Sequence, residues 1–197
     1  MRYELFNRLN TGGSPLTDQE IRNCIFRGIS SDFNNFLKTI AQNPDFVELI
    51  APTEKQVSEL YLEELVLRFV SLYKNYHNVK QVLSVHMTEY MRNVIKDGSF
   101  DYSRGELLLR VINLLKPFGK DIFRKGGGFS TGLYEAITIG VAVNIDYYTH
   151  EGAKEVKRRI GLLKTEHDFS QFTGSASNSK SRIINRMKIA ERIFGNR

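Results

Sequence analysis

The chain has 197 residues, 41% of them apolar and 25% charged, the balance of an ordinary globular protein with enough length to bury a substantial core in one or two domains. A single cysteine, Cys24, excludes an intramolecular disulfide and any multi-cysteine zinc site. The longest apolar run, residues 136–143, is far short of the roughly 20 residues a membrane span needs, and Met1 to Glu4 leads into a polar segment with no signal-peptide core. The expected setting is cytoplasmic and reducing, with no membrane partner.

Net charge is +6, and its placement is uneven: from Lys154 to Arg197 eleven Lys or Arg face four Asp or Glu, a net of +7, so residues 1–153 sum to −1. The basic last quarter points to an anionic partner, most simply nucleic acid, or else to a solvated basic face with no partner at all.

In chain order, Asn10 to Pro15 is dense in turn formers. Thr17 and Glu20 then form a capping box, and Ile21, Cys24 and Ile25 follow at helical spacing, with Cys24 expected as a small core residue. Ser30 or Ser31 can cap a second helix carrying Phe33, Phe36, Leu37 and Ile40, which ends before Pro44. Over residues 54–74 the apolar positions cover most of a helix circumference, which predicts a helix at the centre of a bundle. Its Glu63-Glu64 pair reads as solvated edge.

Residues 79–96 are one-sided and end at Asp97-Gly98-Ser99, and residues 105–116 continue the pattern as far as Pro117. Gly126 to Gly128 reads as a flexible loop, followed by Ser130 or Thr131 as a cap. Residues 133–148 carry many β-branched side chains, but their length favours a helix over a strand. Residues 151–166 and 178–194 complete an all-α, irregular bundle of about eight or nine helices.

No H-E-x-x-H or G-x-S-x-G element is present, so neither a metal centre nor a complete catalytic constellation is expected. Two segments have a physical case for binding phosphate. The Gly126–Gly128 loop, flanked by Arg124 and Lys125, is either a phosphate cradle or a plain connector. The polar loop 172–179 runs into a last helix with Lys180, Arg182 and Arg186 in its first turns. Lys154, Lys157, Arg158 and Lys164 stripe the preceding helix opposite Val156, Ile160 and Leu163. These seven cations are the candidate nucleic-acid contacts, unless Glu151 and Glu155 neutralise part of the stripe.

The segment from Leu5 to Asn23 includes Phe6, Asn10, Thr11-Gly12-Gly13, Leu16 and Glu20-Ile21-Arg22. It resembles the F-x-x-x-N-T-G-G-x-x-L-x-x-x-E-I-R block of the GmrSD-type, ParB/sulfiredoxin-like family of restriction and phage-defence proteins. Residues 63–69 and 172–186 look like the helical region of the same family, more loosely. The resemblance implies that residues 1–16 close a ParB-like α/β domain and that residues 17–197 form a helical domain. Only Phe6 and Asn10 carry over as motif residues.

The family's D-G-Q-Q-R hallmark occurs nowhere in the sequence. The resemblance therefore implies a DNA-contacting helical portion without nucleotidase or nuclease activity of its own. A nucleotide and a divalent metal are expected only with the missing half. That half is either a separate partner chain, which makes this one subunit of a split defence protein, or lost.

Overall fold

The structure is a computed structural model and describes residues 15–98, 100–174 and 176–195. Among these residues it is mostly helical, with twelve α-helices and a single two-stranded hairpin. The all-α expectation therefore holds. The expected ParB-like remnant, with Phe6 and Asn10, lies outside the described residues but for Pro15 and Leu16, which belong to neither helix nor strand.

The first helix, α1 (Asp18–Arg27), begins at Thr17, whose hydroxyl accepts from the Glu20 amide while the Glu20 carboxylate accepts from the Thr17 amide at 2.7 Å. This is the predicted capping box. Next come α2 (Asp32–Ala41) and α3 (Pro44–Ile50). Proline lacks only an amide that the first helical residue leaves unused, so Pro44 opens α3 under an Asn43 cap as well as limiting α2.

The helix expected over residues 54–74 is two. A short α4 (Glu54–Ser58) is followed by α5 (Tyr61–Leu72), because Leu60 takes a left-handed φ of 57°. Residues Leu65 to Leu72 of α5 are buried on every side. It packs against α2, α4, α6 (Leu83–Asp97), α7 (Ser103–Leu115) and α8 (Thr131–Val143), so the central place read from its sequence is where it lies.

Gly126 and Gly127, both at positive φ (59° and 82°), turn a hairpin that pairs Arg124 with Phe129 and Lys125 with Gly128. Two left-handed positions in a row suit a tight hairpin turn, and glycine takes them without a Cβ penalty. The expected flexible loop is thus a formed turn. After it, Ser130 caps α8 by accepting from the Leu133 amide. Asn144 then breaks the helix expected over residues 133–148 into α8 and α9 (Ile145–Glu151). The chain finishes with α10 (Ala153–Thr165), α11 (His167–Gln171) and α12 (Lys180–Phe194). These splits and the short α3 and α11 account for twelve helices in place of eight or nine.

Every residue of α8 from Gly132 to Ala142 is buried, and α12 packs along it. Gly140 allows that approach: a Cβ there would lie 2.5 Å from Phe194 Cδ2 and 3.0 Å from Phe194 Cβ. Phe194 is itself fully buried and is held by the Tyr148 hydroxyl and the Asn144 amide, which donate to its carbonyl at 2.7 and 3.0 Å. Gly140→Ala therefore overpacks a closed contact. Despite alanine's better helix propensity, the expected loss is about 1–3 kcal/mol, read from the urea unfolding midpoint. An unchanged or raised midpoint would contradict this packing.

Candidate nucleic-acid interface

The basic helices stand on a buried ionic network. Glu135 is fully buried on α8 and is held from two sides: Arg68 of α5 donates to Oε1 at 2.7 Å, and Arg186 of α12 donates to Oε2. Arg68 also reaches Glu64 at 2.8 Å and Asn178 Oδ1 at 3.2 Å. Arg22 of α1 donates to Glu64 at 3.2 Å and to Gln19 at 2.9 Å. Arg186 further donates to the Phe172 and Ser177 carbonyls at 2.8 and 2.9 Å, fixing the loop before α12.

Burial alone would raise the Glu135 pKa, but the Arg186 and Arg68 guanidiniums outweigh it and hold the carboxyl below its ordinary value. Arg68 loses hydration on burial, yet Glu135 and Glu64 more than restore its charged form. An unpaired charge in such a site would cost several kcal/mol, which is why each member has partners on more than one element.

The network changes the reading of three sequence features. Arg186 is 1% exposed, so it cannot meet a phosphate; it is a core residue of α12. Glu64 is not solvated edge, because it bridges Arg22 and Arg68. Cys24 is exposed, since α1 buries Gln19, Ile21, Arg22 and Phe26 and turns Cys24 outward.

The other candidates divide by what already occupies them. Val156, Ile160 and Leu163 are buried, as the striped pattern of α10 requires. Arg158 is exposed but engaged by Glu155 through two hydrogen bonds of 2.7 Å. Lys164 donates to the Asp121 and Arg124 carbonyls at 2.6 and 3.4 Å, and Arg182 donates to the Gln171 carbonyl at 2.8 Å. Lys154, Lys157 and Lys180 are exposed, with no carboxylate of a described residue within 4 Å. Lys188 of α12 and Lys125 of the hairpin share that state. The predicted neutralisation by Glu155 is real, but it takes up Arg158 and Arg159 and leaves the lysines open. Because α10 and α12 pack together, the four open lysines of these two helices belong to neighbouring elements.

Sequence reasoning missed Glu135, Arg68 and Arg22. Glu135 and Arg68 nonetheless left a signal. Glu135 is the only charged residue in Leu133–Val143, and Arg68 the only one in Leu65–Leu72. A lone charge in a helix that is apolar all round requires a partner of opposite sign. Among the described residues, no three His, Cys, Asp or Glu are grouped so as to hold a metal ion. Comparison with family models, with characterised proteins and with solved structures found no match.

Two outcomes are expected from this network. Glu135→Gln leaves Arg68 and Arg186 facing a neutral amide and should destabilise the fold by about 3–5 kcal/mol, measured by denaturant unfolding; a change within experimental error would show that the pair carries no weight. Acid should also weaken the fold. Arg158 and Arg159 hydrogen bonds lower the Glu155 pKa from 4.5 to about 2, and Glu135 is lowered too. Groups depressed on folding contribute stability that is fully present above the unfolded value and lost as pH falls through the folded one. The unfolding midpoint should therefore fall between about pH 4.5 and pH 2, and by less in Glu135→Gln.

Proposed function

We propose that this chain is the helical, nucleic-acid-contacting portion of a GmrSD-like restriction or phage-defence nuclease. In this reading, the exposed lysines of α10 and α12 contact the sugar-phosphate backbone. The observation that carries it is that Lys154, Lys157, Lys180 and Lys188 stand exposed on two packed helices without carboxylate partners among the described residues. Lysine is a mobile point charge, suited to neutralising phosphates rather than reading base edges, so the expected binding is tolerant of sequence.

The family part of the reading is supported by the F-x-x-x-N-T-G-G block and by where the resembling stretches fall. Arg22, Glu64 with Arg68, and Arg186 come from the three separate segments that carry the resemblance, and they join in one network. The sequence holds no D-G-Q-Q-R string, so hydrolysis is assigned to a site completed by residues outside this sequence.

Binding to a labelled DNA duplex across a salt series tests the contact surface. A logarithmic slope that becomes shallower by roughly 0.9 for each phosphate contact removed is expected in Lys154→Ala/Lys157→Ala/Lys180→Ala. All three are surface changes that leave the ionic network intact. No binding at low salt, or a slope unchanged in the triple variant, would sink the proposal.

A further inference from the structure

The hairpin, the first turn of α8 and the turn before α12 enclose an open cleft of about 330 Å³, lined in part by Lys125, Ser130, Thr131, Gly132, Thr173 and Ser177. A smaller cleft of about 60 Å³ adjoins it, sharing Lys125 and Thr173 and adding Arg124, Lys164 and Ser170. The two segments that sequence singled out separately for phosphate, the glycine turn and the loop 172–179, thus meet in one place.

The lining has one chemical character. Among the described residues it carries three cations and five hydroxyls, and no carboxylate. Among the described residues, Arg124 donates to the Lys120 and Ile50 carbonyls and Lys164 to the Asp121 and Arg124 carbonyls, all of them backbone. Burial pushes the Lys164 ammonium pKa down, and the Asp121 carboxylate offsets that only in part. Lys125 is exposed and has no ion-pair partner among the described residues. Cations gathered in a lining that holds no carboxylate among the described residues raise the local potential and concentrate an anion.

Donors complete the arrangement. Ser130 takes up the Leu133 amide, which leaves the Thr131 and Gly132 amides, in the first turn of a 13-residue helix, without intrahelical acceptors. Behind the same wall lies Arg186. Its Cδ is 3.2 Å from where a Gly132 Cβ would sit, and its Nε is buried with no hydrogen-bond partner. The absence of a Cβ at Gly132 is explained by this packing and by Thr173, whose Cγ2 would be 2.9 Å away.

The geometry points to this cleft as a seat for a phosphomonoester dianion, the terminal phosphate of a nucleotide or of a nucleic-acid strand. Lys125, the Thr131 and Gly132 amides, and the Ser177 hydroxyl hold it, while the Thr173 hydroxyl is committed to the Ser170 carbonyl at 3.1 Å. This goes beyond the duplex-contacting surface, which meets internal phosphates through other lysines, and it stands without that reading.

Titration of the ¹⁵N-labelled chain with inorganic phosphate, followed by amide NMR and matched in ionic strength with chloride, tests it. Saturable shifts of the Thr131 and Gly132 amides are expected with phosphate alone. Lys125→Ala, a change on an exposed hairpin, should weaken them about tenfold, the scale of one hydrogen bond to a charged group. Lys154→Ala/Lys157→Ala/Lys180→Ala should leave them unchanged, whatever happens to duplex binding. Displacement of phosphate more readily by a 5′-phosphorylated oligonucleotide assigns the strand end, and displacement more readily by a nucleoside 5′-monophosphate assigns the free nucleotide. Shifts that chloride reproduces, or that Lys125→Ala leaves intact, would overturn the site.

Discussion

A carboxylate with no exposed surface governs this bundle. Glu135 sits on the most deeply buried helix, where its charge would be intolerable alone, and it is satisfied only because Arg68 and Arg186 arrive from two other helices. That requirement fixes how α5, α8 and α12 meet. It also propagates outward, since Arg68 draws in Glu64, and Glu64 draws in Arg22 of α1. Apolar burial supplies most of the driving force in a core of this kind and is indifferent to small rotations of a helix. A paired carboxylate is not, because a guanidinium displaced by an ångström or two no longer meets its acceptor.

The same requirement sorts the basic last quarter of the sequence. Arg186 is consumed by the core, Arg158 and Arg159 by Glu155, and Arg192 by Glu166. What remains on the surface is mostly lysine. A net charge counted along the sequence therefore overstates what a nucleic acid would meet and misassigns its chemistry. Planar, bidentate arginines serve internal geometry here, while mobile ammonium groups are left for solvent and for phosphate.

Much of the fold was legible because it depends on local rules. The Thr17–Glu20 box and the Ser130 cap follow from hydroxyl and carboxylate groups placed at helix starts. The apolar stripes marked α5 and α10 correctly. Helix breaks at Leu60 and Asn144 were not legible, since neither residue type is a breaker by itself and tertiary packing decides there. Arg186 was misjudged as a phosphate contact from its charge and its place in the first turns of α12. It is three residues after Ile183 and four before Ala190, so it shares their face. Cys24 was misjudged the other way, because the buried face of α1 is set by Gln19, Arg22 and Phe26, which polar residue types disguise.

Coupling between Glu135 and Arg186 is the most direct test of the central claim that this buried pair aligns the helices. It is read from a double-mutant cycle of Glu135→Gln, Arg186→Met and the combined variant in urea unfolding. The expected interaction energy lies within about 0.5–3 kcal/mol, with the double variant more stable than the sum of the single losses predicts. Additive losses, with no coupling beyond error, would contradict it and would release Arg186 from its structural role.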